Sequence, residues 1–309
     1  MAEGVKDHFV TNNLDALLTA LYVHLDDHVL PALGWSRDRR PGRKPALSDA
    51  ELACVAVAQH LLGIAGERRW IRYAHAHLAR AFPCLPGQSG YGKRLRASGG
   101  LLAAVITELA RDTGSWHDLL RLADSTPLPC AASRETVRRS DLAGHAGYGY
   151  CASHSRFFWG FRLYLITTAD GMPVIWGLAH PGLGEREVTR ALPERDHQLI
   201  RAGQVILGDK GFAGRDFEAF IRDDLHAHLI RPDRKDEPAR FGKLARQRQW
   251  IEAIIDTLKG QLTLEDHGGR TLAGVYARVA ARLLALAAAI WHNWRIGAPV
   301  KRSLIAYDH

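Results

Sequence analysis

Residues 157–179, FFWGFRLYLITTADGMPVIWGLA, constrain the chain more than any other segment. Two apolar, aromatic-rich runs flank Ala169-Asp170-Gly171, and the first alternates with period two. That pattern predicts two antiparallel strands joined by a tight turn. Upstream, Leu119–Asp124 reads as a further strand, followed by a loop rich in Gly, Ser, His and Tyr (140–156). Downstream, Glu185–Leu192 reads as a helix, and Val205–Leu207 as a short buried strand running into Gly208-Asp209. Phe217–Arg222 is helical, Ala227–Ile230 is another strand, and 231–249 is charged and irregular. Helices over about 246–262 and 272–295 close the series.

Before residue 116 the texture differs. Apolar residues recur at helical spacing in Leu14–Leu25, Glu51–Ile64 and Leu101–Leu109. Ser48 with Glu51 three residues later forms a capping-box pattern, and Pro45 stands just upstream. A chain of 309 residues fits roughly two domains on a prior of about 150 residues each. We therefore expect an all-helical domain over 1–115 and an α/β domain over 116–309 that includes the C-terminal helices. In the second domain three strands precede strands alternating with helices. That order is the one a ribonuclease H-like core gives, with a mixed five-stranded sheet.

Composition excludes several classes. The 47% hydrophobic and 24% charged content is ordinary globular usage, neither disordered nor fibrous. Cys54, Cys84, Cys130 and Cys151 form no C-x-x-C pair, so neither a disulfide framework nor a zinc ribbon is expected. Scattered cysteines and the lack of a charged-then-apolar leader predict a cytoplasmic protein. The apolar run Val275–Trp291 is interrupted by Arg278 and Arg282 and reads as a buried helix, with no membrane role. No G-x-x-x-x-G-K-[ST] string occurs, so no nucleotide cofactor is expected.

The net charge is +8, from 41 Lys+Arg against 33 Asp+Glu. In a chain rich in Ala, Leu, Gly and Arg, that total says little by itself. Its distribution says more. Between Arg68 and Thr107 stand seven Lys/Arg and no acid: Arg68, Arg69, Arg72, Arg80, Lys93, Arg94 and Arg96. Pro238–Ile251 is a second acid-free stretch. A solvated basic surface accounts for such a block; so does a helical domain that neutralises DNA phosphates.

Three acids stand where metal chemistry would need them. Asp124 ends the first predicted strand, Asp209 follows the fourth in ILGDKGF, and Glu252 lies in the helix RQRQWIEAIIDTLKG. A strand-terminal Asp is more often a turn residue; it is the set that points further. Hard carboxylate oxygens suit magnesium, and a metal pair stabilises the attacking and leaving oxygens of an in-line phosphoryl displacement. In the helix, Arg248, Glu252, Asp256 and Lys259 share one face, while Ile251, Ile254, Ile255 and Leu258 share the other. An exposed ion-pair ladder reads this way, and so does a face with Glu252 on metal and Arg248 and Lys259 on phosphates. Lys210, beside Asp209, is a further phosphate candidate. Trp159, Trp176 and Trp250 read as core residues before they read as base-stacking platforms.

At these residues the chain resembles the DDE transposases of bacterial insertion sequences, and more narrowly the insertion-sequence family designated 982. The strings SGYGKRLR, DSTPLP, GYGYCASHSRFFWGFRLYLI, TADGMPVIWGLA, GDKGF, RQRQWIEAIIDTLKGQL and AAAIWHNW carry the resemblance over nearly the whole chain. It implies a ribonuclease H-like core with Asp124, Asp209 and Glu252 as catalytic, metal-binding residues. Two Mg2+ ions are the implied cofactor, with Mn2+ as a substitute. A Y-x2-R-x3-E-x6-K signature of related elements matches at Arg248, Glu252 and Lys259, with Ala245 in place of the tyrosine. The resemblance further implies that the N-terminal region binds terminal inverted repeats, with Arg68, Arg69, Arg72, Lys93, Arg94 and Arg96 as candidates. A homodimer is expected, since two DNA ends are joined. The alternatives are a stand-alone ribonuclease H-like nuclease and an inactive, domesticated transposase that only binds DNA.

Overall fold

The computed structural model describes residues 3–35, 45–151, 155–234, 237–238, 240, 244–300 and 304. The sequence also carries a basic string, RDRRPGRK at 37–44, which lies outside the described residues. The chain divides into two compact units, one of 1–112, 258–269 and 273–309, the other of 113–257 and 270–272. This differs from the expected boundary at 115/116, because the C-terminal helices group with the N-terminal ones.

The described elements of the first unit are helical. α1 (Glu3–His24) continues through a π turn (Leu25–Val29) into α2 (Leu30–Ala32). Then come α3 (Asp49–Leu61), α4 (Glu67–His77), α5 (Gln88–Ala97) and α6 (Gly99–Arg111), with α11 (Leu272–Arg295) supplied from the far end of the chain. α11 explains the grouping. Val275, Val279, Leu283, Leu284, Ile290 and Trp291 are all buried, as are most residues between them. A helix apolar all round must be covered on every side, and α3, itself buried along nearly its whole length, belongs to the same unit. α11 is long and apolar enough to cross a membrane by length and composition alone, but, as expected from the sequence, it is a buried helix. Two of its buried polar side chains are bonded inside the unit. The Trp291 indole donates to Asp112 Oδ2 at 2.7 Å, and the buried Arg282 guanidinium donates to the carbonyls of Thr263, Asp266 and Arg278.

The second unit is built on one mixed sheet. Its strands are β1 (Leu120–Ala131), β2 (Gly147–Cys151), β3 (Arg156–Thr168), β4 (Pro173–Ala179), β5 (Val205–Leu207) and β6 (His228–Ile230). β1 pairs antiparallel with β3, and β2 and β4 share the other edge of β3 in succession. On its opposite edge β1 pairs in parallel with β5, which pairs in parallel with β6. The order β4-β3-β1-β5-β6 is compatible with a ribonuclease H-like core. Helices α7 (Arg134–Arg139), α8 (Glu185–Arg195), α9 (Arg215–Ala219) and α10 (Ala245–Gly260) complete the series.

Two expectations need correction. The sheet has six strands among the described residues, because residues expected to form a loop include β2, whose Tyr148 and Tyr150 pair with Trp159 and Phe157. Glycine and tyrosine at alternate positions hid a strand of period two. β1 also does not end at Asp124; it continues to Ala131 through Pro127 and Pro129. Only its pairing with β5 ends early, after Leu122. Beyond that point no strand among the described residues pairs with that edge of β1, so prolines are tolerated there.

The cleanest local determinant is at α3. The Ser48 hydroxyl accepts from the Glu51 amide at 3.0 Å, and the Glu51 carboxylate accepts from the Ser48 amide, a complete capping box. Ser48→Ala is expected to cost about 1 kcal/mol, read as reduced amide hydrogen-exchange protection along α3. Unchanged protection would show that the cap contributes nothing.

Candidate active site

The parallel register of β1 and β5 sets the geometry. Leu122 lies opposite Leu207, and each is followed two residues later by an aspartate. Asp124, within β1, and Asp209, just past the end of β5, therefore stand side by side where the pairing of these two strands stops, and paired strands stand about 4.8 Å apart. Leu122, Leu207 and Ile251 of α10 form one buried cluster, to which Leu120, Ile230, Trp250 and Ile254 add partly buried surface. The residue after Ile251 is Glu252. The contact that packs α10 on the sheet also sets the position of Glu252, one residue along the helix.

Each acid is held differently. Asp124 Oδ1 accepts from the Ser125 amide at 2.7 Å. Burial pushes its carboxyl up to about 6, and the negative charges of Asp209 and Glu185 push in the same direction, while the Ser125 amide and the Arg248 guanidinium oppose them. Asp209 Oδ1 accepts from the Gly211 amide at 2.7 Å, which fixes the turn after β5. Glu252 is exposed and faces Arg248 at 3.6 Å. Among the described residues no three Asp, Glu, His or Cys side chains form a group able to hold a metal ion. Asp124 and Asp209 converge, and Glu252 is paired with the arginine one turn back.

A fourth acid escaped the sequence reading. Glu185, the first residue of α8, accepts from Ser125 Oγ at 2.9 Å and from the Arg162 guanidinium at 2.6 Å. Arg162 also donates to Ser125 Oγ at 2.8 Å. Gly211 makes room for this acid: a Cβ there would stand 2.5 Å from Glu185 Oε2 and 2.8 Å from Asp209 Oδ1. The available signals were a charged Arg162 inside an apolar strand and an acid opening the helix after the hairpin. Neither is specific without the fold.

The phosphate candidates divide. Lys210 is exposed beside Asp209, and Arg248 is half-buried with charge coupling to Asp124. Lys259, seven residues beyond Glu252 on α10, pairs with Glu265 at 3.3 Å. In the first unit, Arg68, Arg69 and Arg72 stand on the exposed side of α4, whose Trp70, Ile71 and Ala74 are buried; Lys93 and Arg96 are exposed on α5. Arg94 does not join them. Its guanidinium donates to the Leu47 and Ser48 carbonyls and pairs with the buried Asp49 at 3.0 Å, bracing the start of α3.

The chain matches the family model described as Transposase DDE domain over residues 115–288. This protein belongs to that family. Asp124, Asp209 and Glu252 all fall within the matched segment, as does the whole sheet. No curated protein matches the chain. A DDE transposase is an enzyme of the polynucleotidyl-transferase type that acts on DNA.

The raised Asp124 carboxyl has a sign-definite consequence. Between its ordinary value of 3.8 and about 6 the folded chain keeps a proton that the unfolded chain has released. Stability therefore falls as pH rises through that window. In chelator-treated buffer, Asp124→Asn is expected to be more stable than wild type at pH 7 by on the order of 1–3 kcal/mol. Near pH 4 the two should unfold alike. Equal stability at both pH values would refute the burial of charge at Asp124.

Proposed function

We propose that this DDE transposase binds the terminal inverted repeats of an insertion sequence of the 982 type, cleaves at the element ends, and joins the freed 3′-OH to target DNA. The observation that carries the reading is the placing of Asp124 and Asp209 two residues beyond the paired Leu122 and Leu207 of adjacent parallel strands, with α10 packed on both leucines through Ile251. The donor set fits a hard divalent cation. Asp124 and Asp209 stand on adjacent inner strands of the sheet, near enough that the charge of Asp209 bears on Asp124, and both offer hard carboxylate oxygens. Asp124, Asp209 and Glu252 would hold Mg2+, in two ions by the family's chemistry, with Mn2+ as a substitute. When bound, the metal would supply Lewis-acid stabilisation of the charge on the reacting phosphoryl oxygens.

The remaining work falls to this chain's residues. Asp209, with one oxygen committed to the turn, presents the other at a fixed angle. Glu252 leaves Arg248 to complete the set, and Arg248, so released, takes a phosphate oxygen. Lys210 and Lys259 hold flanking phosphates, the latter by exchanging its pairing with Glu265. Cleavage is then a displacement by water at the end phosphodiester, which leaves the element's 3′-OH. Strand transfer is a second displacement, in which that hydroxyl attacks a target phosphodiester and expels a target 3′-oxygen. No covalent protein–DNA bond is required, because positioning and charge stabilisation suffice. The exposed face of Arg68, Arg69, Arg72, Lys93 and Arg96 contacts end DNA, and two copies of the chain act as a homodimer on two ends, in the cytoplasm. No nucleotide cofactor takes part.

Asp209→Asn is expected to lose Mg2+-dependent cleavage of an element-end duplex by at least 1000-fold while binding that duplex as wild type does. Gel-resolved cleavage and a parallel mobility-shift titration measure both. A variant that still cuts would remove Asp209 from the chemistry. Wild-type cutting without transfer of a pre-cut end into plasmid would favour a stand-alone nuclease.

A further inference from the structure

A cavity of about 350 Å³ opens just beyond the C-terminal ends of β5 and β6. Its walls are the turn after Asp209 (Ala213, Gly214), the start of α9 (Arg215, Glu218) and the segment leading out of β6 (Arg231, Arg234, Glu237, Arg240). Two features set it apart from an ordinary charged surface.

The first is a pair of arginines on one atom. Arg186 Nη1 and Arg234 Nη2 both donate to the Ala213 carbonyl, at 3.1 and 3.3 Å. Neither guanidinium forms an ion pair with an acid among the described residues. Two like charges meeting at one neutral oxygen repel each other, and an anion between them would reverse that. Gly214 permits the approach, since a Cβ there would stand 2.2 Å from Arg186 Nη1.

The second is how the acids of the wall are disposed of. Arg231 is fully buried. It donates to Glu218 Oε1 from Nε and Nη2 at 3.0 and 2.7 Å, and to both oxygens of Glu237 at 2.6 and 2.8 Å. Arg240 adds weaker contacts to Glu218, Glu237 and Asp233 at 3.5–3.7 Å. The acids therefore face inward to Arg231 and Arg240, while Arg186, Arg215 and Arg234 remain for a ligand. Arg215 is exposed at the mouth.

We propose that a phosphodiester-binding subsite lies at the Ala213 rim of this cavity, where Arg234 of its wall and Arg186, which reaches the same carbonyl from beside the cavity, clamp one backbone phosphate of DNA and Arg215 guides it in. The planar forks of arginine match phosphate oxygens two at a time. The proposal rests on the DNA-processing reading above and extends it. The subsite begins four residues past Asp209 in the chain, and its arginines are distinct from Lys210, Arg248 and Lys259.

The test is the salt dependence of binding by the full chain to a 30-bp duplex of arbitrary sequence. Each phosphate contact contributes about 0.9 to the slope of log K against log salt. R186Q/R234Q is expected to lower that slope by about 1. R215A, which disturbs no internal contact, should lower it by a smaller amount. R222A, whose arginine pairs with Asp223 on the surface, should leave it unchanged. Inorganic phosphate should compete with DNA less effectively against R186Q/R234Q than against wild type. Wild-type slopes in both R186Q/R234Q and R215A, with wild type still binding and cutting DNA, would overturn the subsite alone. Wild type that neither binds nor cuts DNA would overturn the transposase reading, and the subsite with it.

Discussion

The site depends on three apolar side chains. Leu122 and Leu207 face each other across the only three-residue pairing between β1 and β5, and Ile251 seals them from the helix side. A slip of one residue in that register would turn every β5 side chain to the other face, and Asp209 would no longer emerge beside Asp124. A displacement of α10 would carry Glu252 with it. The carboxylates hold their own local turns, but their mutual repulsion opposes bringing them together. Burial of the leucine–isoleucine cluster offsets the cost of holding acids together, and the position of α10 couples the two.

Glu185 shows how the far side of the sheet supports the same end. Ser125 and Arg162, from neighbouring strands, converge on its carboxylate, and its second oxygen lies against the Gly211 turn. α8 is thereby tied to β1 at the residue after Asp124 and to β5 at the turn after Asp209. The strand ends are clamped from both faces, by apolar packing on one and by a charged hydrogen-bond network on the other. Such networks are well determined geometrically only when every member has a partner. Here Oε1 has two, and Oε2 is left at the edge of the acid pair.

Much of this was legible in the sequence, for physical reasons that differ by element. The β3–β4 hairpin was plain because both strands are rich in β-branched and aromatic residues around an Asp-Gly turn. α10 was plain because its apolar and charged residues separate cleanly at helical spacing. β2 was hidden by its glycines, and the continuation of β1 by two prolines that a free edge tolerates. The capping box at Ser48 was visible because it is local, whereas the use of Arg94 was not. Nothing near Arg94 in sequence says that its guanidinium is spent on Leu47, Ser48 and Asp49, more than forty residues away. Asp124 and Asp209 could be named from strand ends; Glu185 could not, because its partners lie on two other strands.

Arginine explains why net charge was a poor guide to function. Arg121, Arg231 and Arg282 are buried and hold backbone carbonyls or carboxylates in place. Burial pulls the guanidinium groups of Arg121 and Arg282 down to about 10, so both remain charged at neutral pH. They count toward +8 yet offer nothing to a polyanion. Conversely, the wall of the arginine cavity includes Glu218 and Glu237, which a charge count would subtract, but which Arg231 has already taken. The electrostatic surface that DNA would meet is therefore set by which arginines the fold consumes. In this chain the consumed ones brace helix starts, strand ends and cavity walls, and the unconsumed ones stand on α4, on α5 and beyond the strand ends that carry the acids.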